Sequence, residues 1–305
     1  MTSAAVTRLA RWWFAPAPAE RLAALRIAIG GFAAIWLIGR LPELIAAARW
    51  PASQLAAVGV IRVLRAPLPP AAVIAIAVAT IALLAAVTAG VMFRIAAPLA
   101  AAGLLWTLSY RSSWGMVFHT EDLVVLHVIA LACAPAADAW TLGGAGRDRR
   151  GAPDAGYGWA IKLLAALTCA TYLLAGIAKL RLAGLDWLDG GQLRNQIAID
   201  NLRKALLGAA TAPLAGPLVA HPVALAAASL ATLAVELGAP IALLGGRAAR
   251  GWIAAAWGFH AAVVLAMNVW FPYPLSGVAF LPLIAAEGVV GWPVRRWRSR
   301  AISGG

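Results

Sequence analysis

The sequence predicts an all-α membrane protein, a polytopic bundle of about eight transmembrane helices with an interfacial helix in a long outer loop. Three observations predict it. Of the 305 residues, 63% are apolar and only 12% charged, against roughly 45 to 50% and 25% in soluble domains. The mean hydropathy of +0.83 agrees. The apolar residues also gather into eight runs with arginines crowded into the connections between them, the arrangement that fixes topology in a bilayer. In a soluble chain a net charge of +13 would point to nucleic acid. Placed beside apolar runs, the same charge answers to anionic lipid, so the expected partner is the bilayer and no nucleic acid is expected.

Residues 1–20 form an N-terminal segment in which Arg8 and Arg11 flank Trp12, Trp13 and Phe14. It is too polar and too broken by proline for a signal peptide, and is expected to lie in the interface. The runs follow at 22–39, 71–90, 95–109, 123–137, 159–178, 223–246, 251–270 and 275–290. Several reach the ~20 residues that a membrane-crossing helix needs. Those at 95–109 and 123–137 are short, and either draw on flanking residues or cross where the lipid is thinned. Residues 21–290 are read as one transmembrane domain and 291–305 as a basic tail.

With eight spans, placing the N-terminus inside puts thirteen arginines on the inner face and ten basic residues on the outer. The inner loops are short and nearly free of acids, which is where the positive-inside rule is best founded. Both termini are therefore expected in the cytoplasm. The long connections, 41–70 and 180–222, then fall outside, and long loops held on a membrane scaffold tend to build sites. Within the second, Leu193, Ile197, Leu202 and Leu206 recur at helical spacing opposite Arg194, Asp200, Arg203 and Lys204, the pattern of an interfacial helix.

An ionisable group at bilayer depth costs several kcal/mol unless partnered, so the few polar residues in or beside the runs mark the candidate site. Lys179 ends the fifth run; there a lysine either snorkels to water or becomes a reactive amine through desolvation. His119 precedes the fourth run, so antiparallel crossing of the fourth and fifth puts His119 and Lys179 on one side of the membrane. Asn268 falls near the same side, while Glu236 and His260 lie close to mid-depth. A carboxylate in the setting of Glu236 is protonated, paired with a cation, or part of an inter-helix hydrogen bond. His127 and His260 read first as core histidines satisfied by carbonyls. Cys133 and Cys169 sit inside apolar runs without Cys-x-x-Cys or histidine spacing; they read as small core residues and no metal is expected. Phosphate loops, nucleophile elbows and zinc-protease motifs are missing from the sequence.

Three stretches carry a resemblance: YRSSWGMVFHTEDLVVLHVIALACAPAADAW at 110–140, LLAGIAKLRLAGLDWLDG at 173–190, and WGFHAAVVLAMNVWFPYPLSGVAF at 257–280. Together they resemble the HTTM family, bacterial membrane proteins similar to the transmembrane domain of the vitamin K-dependent gamma-carboxylase, over roughly 20–287. The resemblance implies a multi-span bundle with a site facing the exterior. There the lysine closing Ala-Gly-x-x-Lys-Leu, here Lys179, deprotonates a naphthoquinol, and the histidine ahead of an earlier span, here His119, assists. His260 falls in the family's later Phe-His span. For a bacterial plasma-membrane protein the implied cofactor is menaquinol or a related naphthoquinol, and the residues expected around it are His260 and, by their depth along the runs, Glu236 and Asn268. The animal enzyme carries a large lumenal portion that grips its protein substrate; this chain has an arginine-rich tail instead, so the quinol-handling core is implied more than glutamate carboxylation.

Two functions of different class follow from these residues. In one, Lys179 is a base acting on a lipid-soluble quinol. In the other, the protein is a non-enzymatic membrane binding or assembly subunit and Lys179 is an interfacial anchor.

Overall fold

The computed structural model describes residues 3–117, 119–142 and 153–291, and among these the regular structure is helical, with one isolated antiparallel bridge between Ala17 and Asp154. Two compact units divide the chain: one runs from its start to Leu164 and resumes at Ala285, the other is Ala165–Ile284.

The first unit opens with α1 (Ser3–Trp13) and, after the proline-broken segment that contains Pro16 and Pro18, α2 (Ala19–Ala47). Two short 3-10 turns, Ala52–Gln54 and Gly59–Val63, occupy the first long connection. α3 (Pro70–Ala89) starts on a proline, whose missing N–H is among those a helix leaves free at its first turn. It stops at Gly90 in the left-handed region at φ 73°, where a Cβ would also strike the guanidinium of Arg26. α4 (Phe93–Arg111) and α5 (Asp122–Ala132) follow, and the unit takes in the first ten residues of α6 (Ala155–Ala183).

Arg26 lies in the middle of an apolar helix and is fully buried. Its partners are carbonyls rather than acids. Nε donates to Ala136 O at 2.8 Å, Nη1 to Val87 O at 2.9 Å and Thr88 O at 2.6 Å, and Nη2 to Ala139 O at 3.3 Å and Trp140 O at 2.7 Å. Two of these belong to the last turn of α3, where helix carbonyls lack intrahelical donors and a cation meets the negative end of the dipole. His127 meets the sequence expectation by bonding a carbonyl, Leu164 O, at 3.0 Å. Near the start of α2, Arg21 makes a two-pronged ion pair with Glu287, at 2.8 and 2.9 Å.

The second unit contains the rest of α6, a 3-10 turn at Gly184–Trp187, α7 (Gly191–Leu206), α8 (Ala215–Val219), α9 (Pro222–Leu237), a 3-10 turn at Ala239–Leu244, α10 (Gly246–Met267), α11 (Pro272–Leu275) and a 3-10 turn at Val278–Leu283. α7 covers the stretch in which Leu193, Ile197, Leu202 and Leu206 recur at helical spacing, burying Ile197 and Asn201 while Ile199, Leu202 and Leu206 stay exposed.

Four of the helical segments are long and apolar enough to cross a membrane: Ala19–Ala47, Pro70–Ala89, Ala155–Trp187 and Gly246–Met267. These carry the runs at 22–39, 71–90, 159–178 and 251–270. α4 is nearly as long but includes Arg94, Pro98 and Arg111. The run at 123–137 yields only the eleven residues of α5, because Pro135 cannot continue it. The run at 223–246 breaks after Leu237 at Gly238 and Pro240, where a 3-10 turn takes over. The run at 275–290 is split by Gly277, at φ 79°, and Pro282. Cys169 is buried as expected, whereas Cys133, just past the end of α5, is exposed.

Candidate functional site

On α6, Tyr172, Gly176 and Lys179 are spaced by four and three residues and share one face of the helix. α9 crosses that face. A Cβ on Gly176 would lie 3.0 Å from the Cβ of Glu236 and 2.9 Å from Cδ2 of Leu237, so only glycine permits this approach. The penultimate residue of α9, Glu236, accepts a hydrogen bond from Lys179 Nζ at 2.5 Å. The lysine side chain keeps 25% exposure and the glutamate 4%. Lys179 Nζ also lies 5.5 Å from the ring centre of Trp187, supplied by the turn that follows α6, a cation–π distance.

One level along the same face, the Tyr172 hydroxyl and His260 Nε2 are 2.6 Å apart, both side chains buried. Aromatic rings wall the pair: Trp252 lies edge-on to Tyr172 at 5.0 Å, Phe280 tilts against it at 6.2 Å, and Phe271 lies 4.9 Å from the imidazole. These walls are themselves tied down. Trp252 Nε1 donates to Val235 O, one residue before Glu236, and the Thr168 hydroxyl donates to Ala279 O, next to Phe280. Three buried polar atoms of this neighbourhood have no hydrogen-bond partner among the described residues: Glu236 Oε2, His260 Nδ1 and Trp187 Nε1.

The arrangement suits proton handling. An amine and a carboxylate at 2.5 Å are within reach of a single shared proton. In its neutral form the amine has a lone pair available to a third group.

Of the residues singled out from the sequence, Lys179 and Glu236 are brought together, and His260 is in the same unit, bonded to Tyr172. Asn268 ends α10 with φ 48°, its amide donating to Ala210 O at 3.1 Å and its oxygen accepting from Trp270 Nε1 at 3.0 Å. Its polar atoms thus serve the helix end. His119 begins the turn His119–Glu121 in the first unit, and its side chain lies outside the described residues. Tyr172, Trp187 and Trp252 were missed; only the first carried a signal, standing seven residues before Lys179.

The first unit holds a second polar cluster. Arg111 pairs with Glu121 at 2.6 Å and Glu43 at 2.9 Å, Trp36 Nε1 donates to Glu121 Oε1 at 3.1 Å, and Arg40 stacks over Trp36 at 3.9 Å while pairing with Glu43. Burial pushes the Glu121 carboxyl above its ordinary range, and Arg111 and Trp36 only partly counter that.

The family model described as the HTTM domain matches residues 14–285, nearly the whole chain. The chain belongs to the HTTM family. No curated protein and no solved structure gives a significant match. The match spans both units of this HTTM protein, and with it the four long apolar helices and the Lys179–Glu236 pair. Such helices make it an integral membrane protein.

Proposed function

We propose that this HTTM protein binds a membrane naphthoquinol, of which menaquinol is the bacterial example, and that Lys179 takes a proton from its hydroxyl at the outer face of the plasma membrane. The observation that carries the reading is that Lys179 does not snorkel alone: it is bonded to the buried carboxylate of Glu236. That partner holds the amine in place and shares its proton, so Lys179 alternates between ammonium and amine without leaving the site. His119 assists as a second proton-handling group, in keeping with its place in the family pattern. In this reading the four long helices and the shorter apolar pieces together complete eight crossings, with both termini in the cytoplasm and α7 lying in the outer interface.

Mass spectrometry of lipids co-purifying with the protein is the direct test: a naphthoquinone is expected with the parent. Arginine keeps the charge and the anchor but has no lone pair to accept a proton. Lys179→Arg should therefore retain the fold and lose quinol deprotonation, read from the absorbance of the bound quinolate, and His119→Gln should slow it. If Lys179→Arg deprotonates the quinol as the parent does, Lys179 is not the base. A protein that never carries quinone, and whose cellular role survives Lys179→Arg, is a binding or assembly subunit with an anchoring lysine.

A further inference from the structure

We propose that Tyr172 and His260 form a second acid–base pair in the same site, which engages the other oxygen of a para-dihydroxy aromatic ligand. The proposal rests on the quinol reading and specifies what the ligand must present: two ring oxygens, both free to exchange a proton.

The argument starts from α6. Lys179 and Tyr172 lie on one face, seven residues and therefore about 10.5 Å apart along the axis. Each has a proton-sharing partner from another helix, Glu236 of α9 and His260 of α10, at 2.5 and 2.6 Å. Glu236, rooted beside Gly176 midway between them, spends Oε1 on Lys179 and leaves Oε2 buried and unbonded. His260 likewise spends Nε2 on Tyr172 and leaves Nδ1 buried and unbonded. A buried polar atom without a partner is costly, and in native proteins its bonding is completed by an ordered water, an ion or another molecule.

The tautomer of His260 sharpens the point. If the phenol donates to Nε2, the ring proton sits on Nδ1, which then lacks an acceptor; if Nε2 donates, the phenol proton is free to be given elsewhere. Either way the dyad has at least one unused hydrogen-bonding capacity beside the rings of Trp252, Phe271 and Phe280.

The proton balance is simple. One ligand O–H gives its proton to the Lys179 amine. The other gives its proton to the Tyr172 oxygen as the phenol passes its own to His260 Nε2, so each O–H bond broken is matched by one N–H bond formed. Nδ1 is then the position from which the imidazolium proton departs.

The test uses the full-length protein in detergent and follows binding by quenching of tryptophan fluorescence. The probes are 2-methyl-1,4-naphthohydroquinone held reduced, its two monomethyl ethers and its dimethyl ether. The diol should bind about tenfold more tightly than either monoether, the equivalent of one hydrogen bond. Tyr172→Phe removes a single oxygen; it should erase the preference over one of the two monoethers and leave the affinity for that ether unchanged. His260→Gln should behave alike. The proposal is overturned if Tyr172→Phe keeps the parent's full preference, or if diol and monoethers bind the parent equally while Lys179→Ala weakens them all; that second result leaves the Lys179 reading standing. Failure of every probe to bind the parent would remove both.

Discussion

Glu236 and Gly176 are paired across two helices at a distance only a missing side chain allows: the Cβ that alanine would add at 176 falls 3.0 Å from the Cβ of Glu236 and 2.9 Å from Leu237. The ion pair three residues along α6 exists because α9 comes that close. Gly176→Ala should destabilise by about 1 to 3 kcal/mol through overpacking and loosen the Lys179–Glu236 bond. Since Leu237 supplies two of the three nearest atoms, adding Leu237→Ala should recover part of the loss. Thermal unfolding of the four proteins of that cycle checks the coupling; strict additivity would mean that the two residues do not meet.

The pair itself has a measurable coupling. Glu236→Gln and Lys179→Met should each cost about 1 to 3 kcal/mol, because each leaves a charged or polar partner without its match in a largely buried place. The double variant should cost less than the sum of the singles. Parent-like stability in Glu236→Gln would show that the carboxylate adds nothing to the fold.

Arg26 is expected to be the most sensitive single position of the first unit. Its five carbonyl acceptors lie in two chain segments, 87–88 and 136–140, so Arg26→Met strands several buried oxygens and should cost at least about 3 kcal/mol. Lysine brings at most three donors on a narrower head; Arg26→Lys should recover only part. Expression level and unfolding temperature of the two variants distinguish these outcomes.

Glu121 gives a pH prediction. Burial holds its carboxyl pKa above the ordinary value of 4.5 despite Arg111, so the folded state prefers the protonated form more than the unfolded chain does. The stability this contributes is fully present below about pH 4.5 and is lost as pH rises through the raised folded value. Glu121→Gln should remove that pH dependence: the stability of the parent relative to the variant should fall as pH climbs above 4.5. A relative stability that climbs with pH over that window would mean that the bond to Arg111 outweighs burial.

The fold class was legible because composition and run length are properties of the chain alone, and the helix at 191–206 was legible from its spacing. Continuity was not. The runs at 123–137, 223–246 and 275–290 are apolar throughout, yet Pro135, Pro240 and Pro282 decide where helix gives way to turn, and average hydropathy is blind to a lost N–H. At the site, Lys179 and Glu236 stood out as charges in apolar surroundings. Their pairing depends on Gly176, which as one of 29 glycines carried no flag. Tyr172 passed as an apolar residue of a span, because what makes it chemical is His260, 88 positions away in sequence.

The C-terminal end of α10 is fastened to α7. Lys204 of α7 donates to the carbonyls of Met267 and Asn268, at the C-terminus of the helix that bears His260, and pairs with Asp200 one turn back at 2.5 Å. Asn201, also on α7, holds Ala266 O at 3.1 Å. Lys204 and Asn201 thus fasten the end of α10 to α7, so a substitution at either position acts on the helix that carries the imidazole bonded to Tyr172.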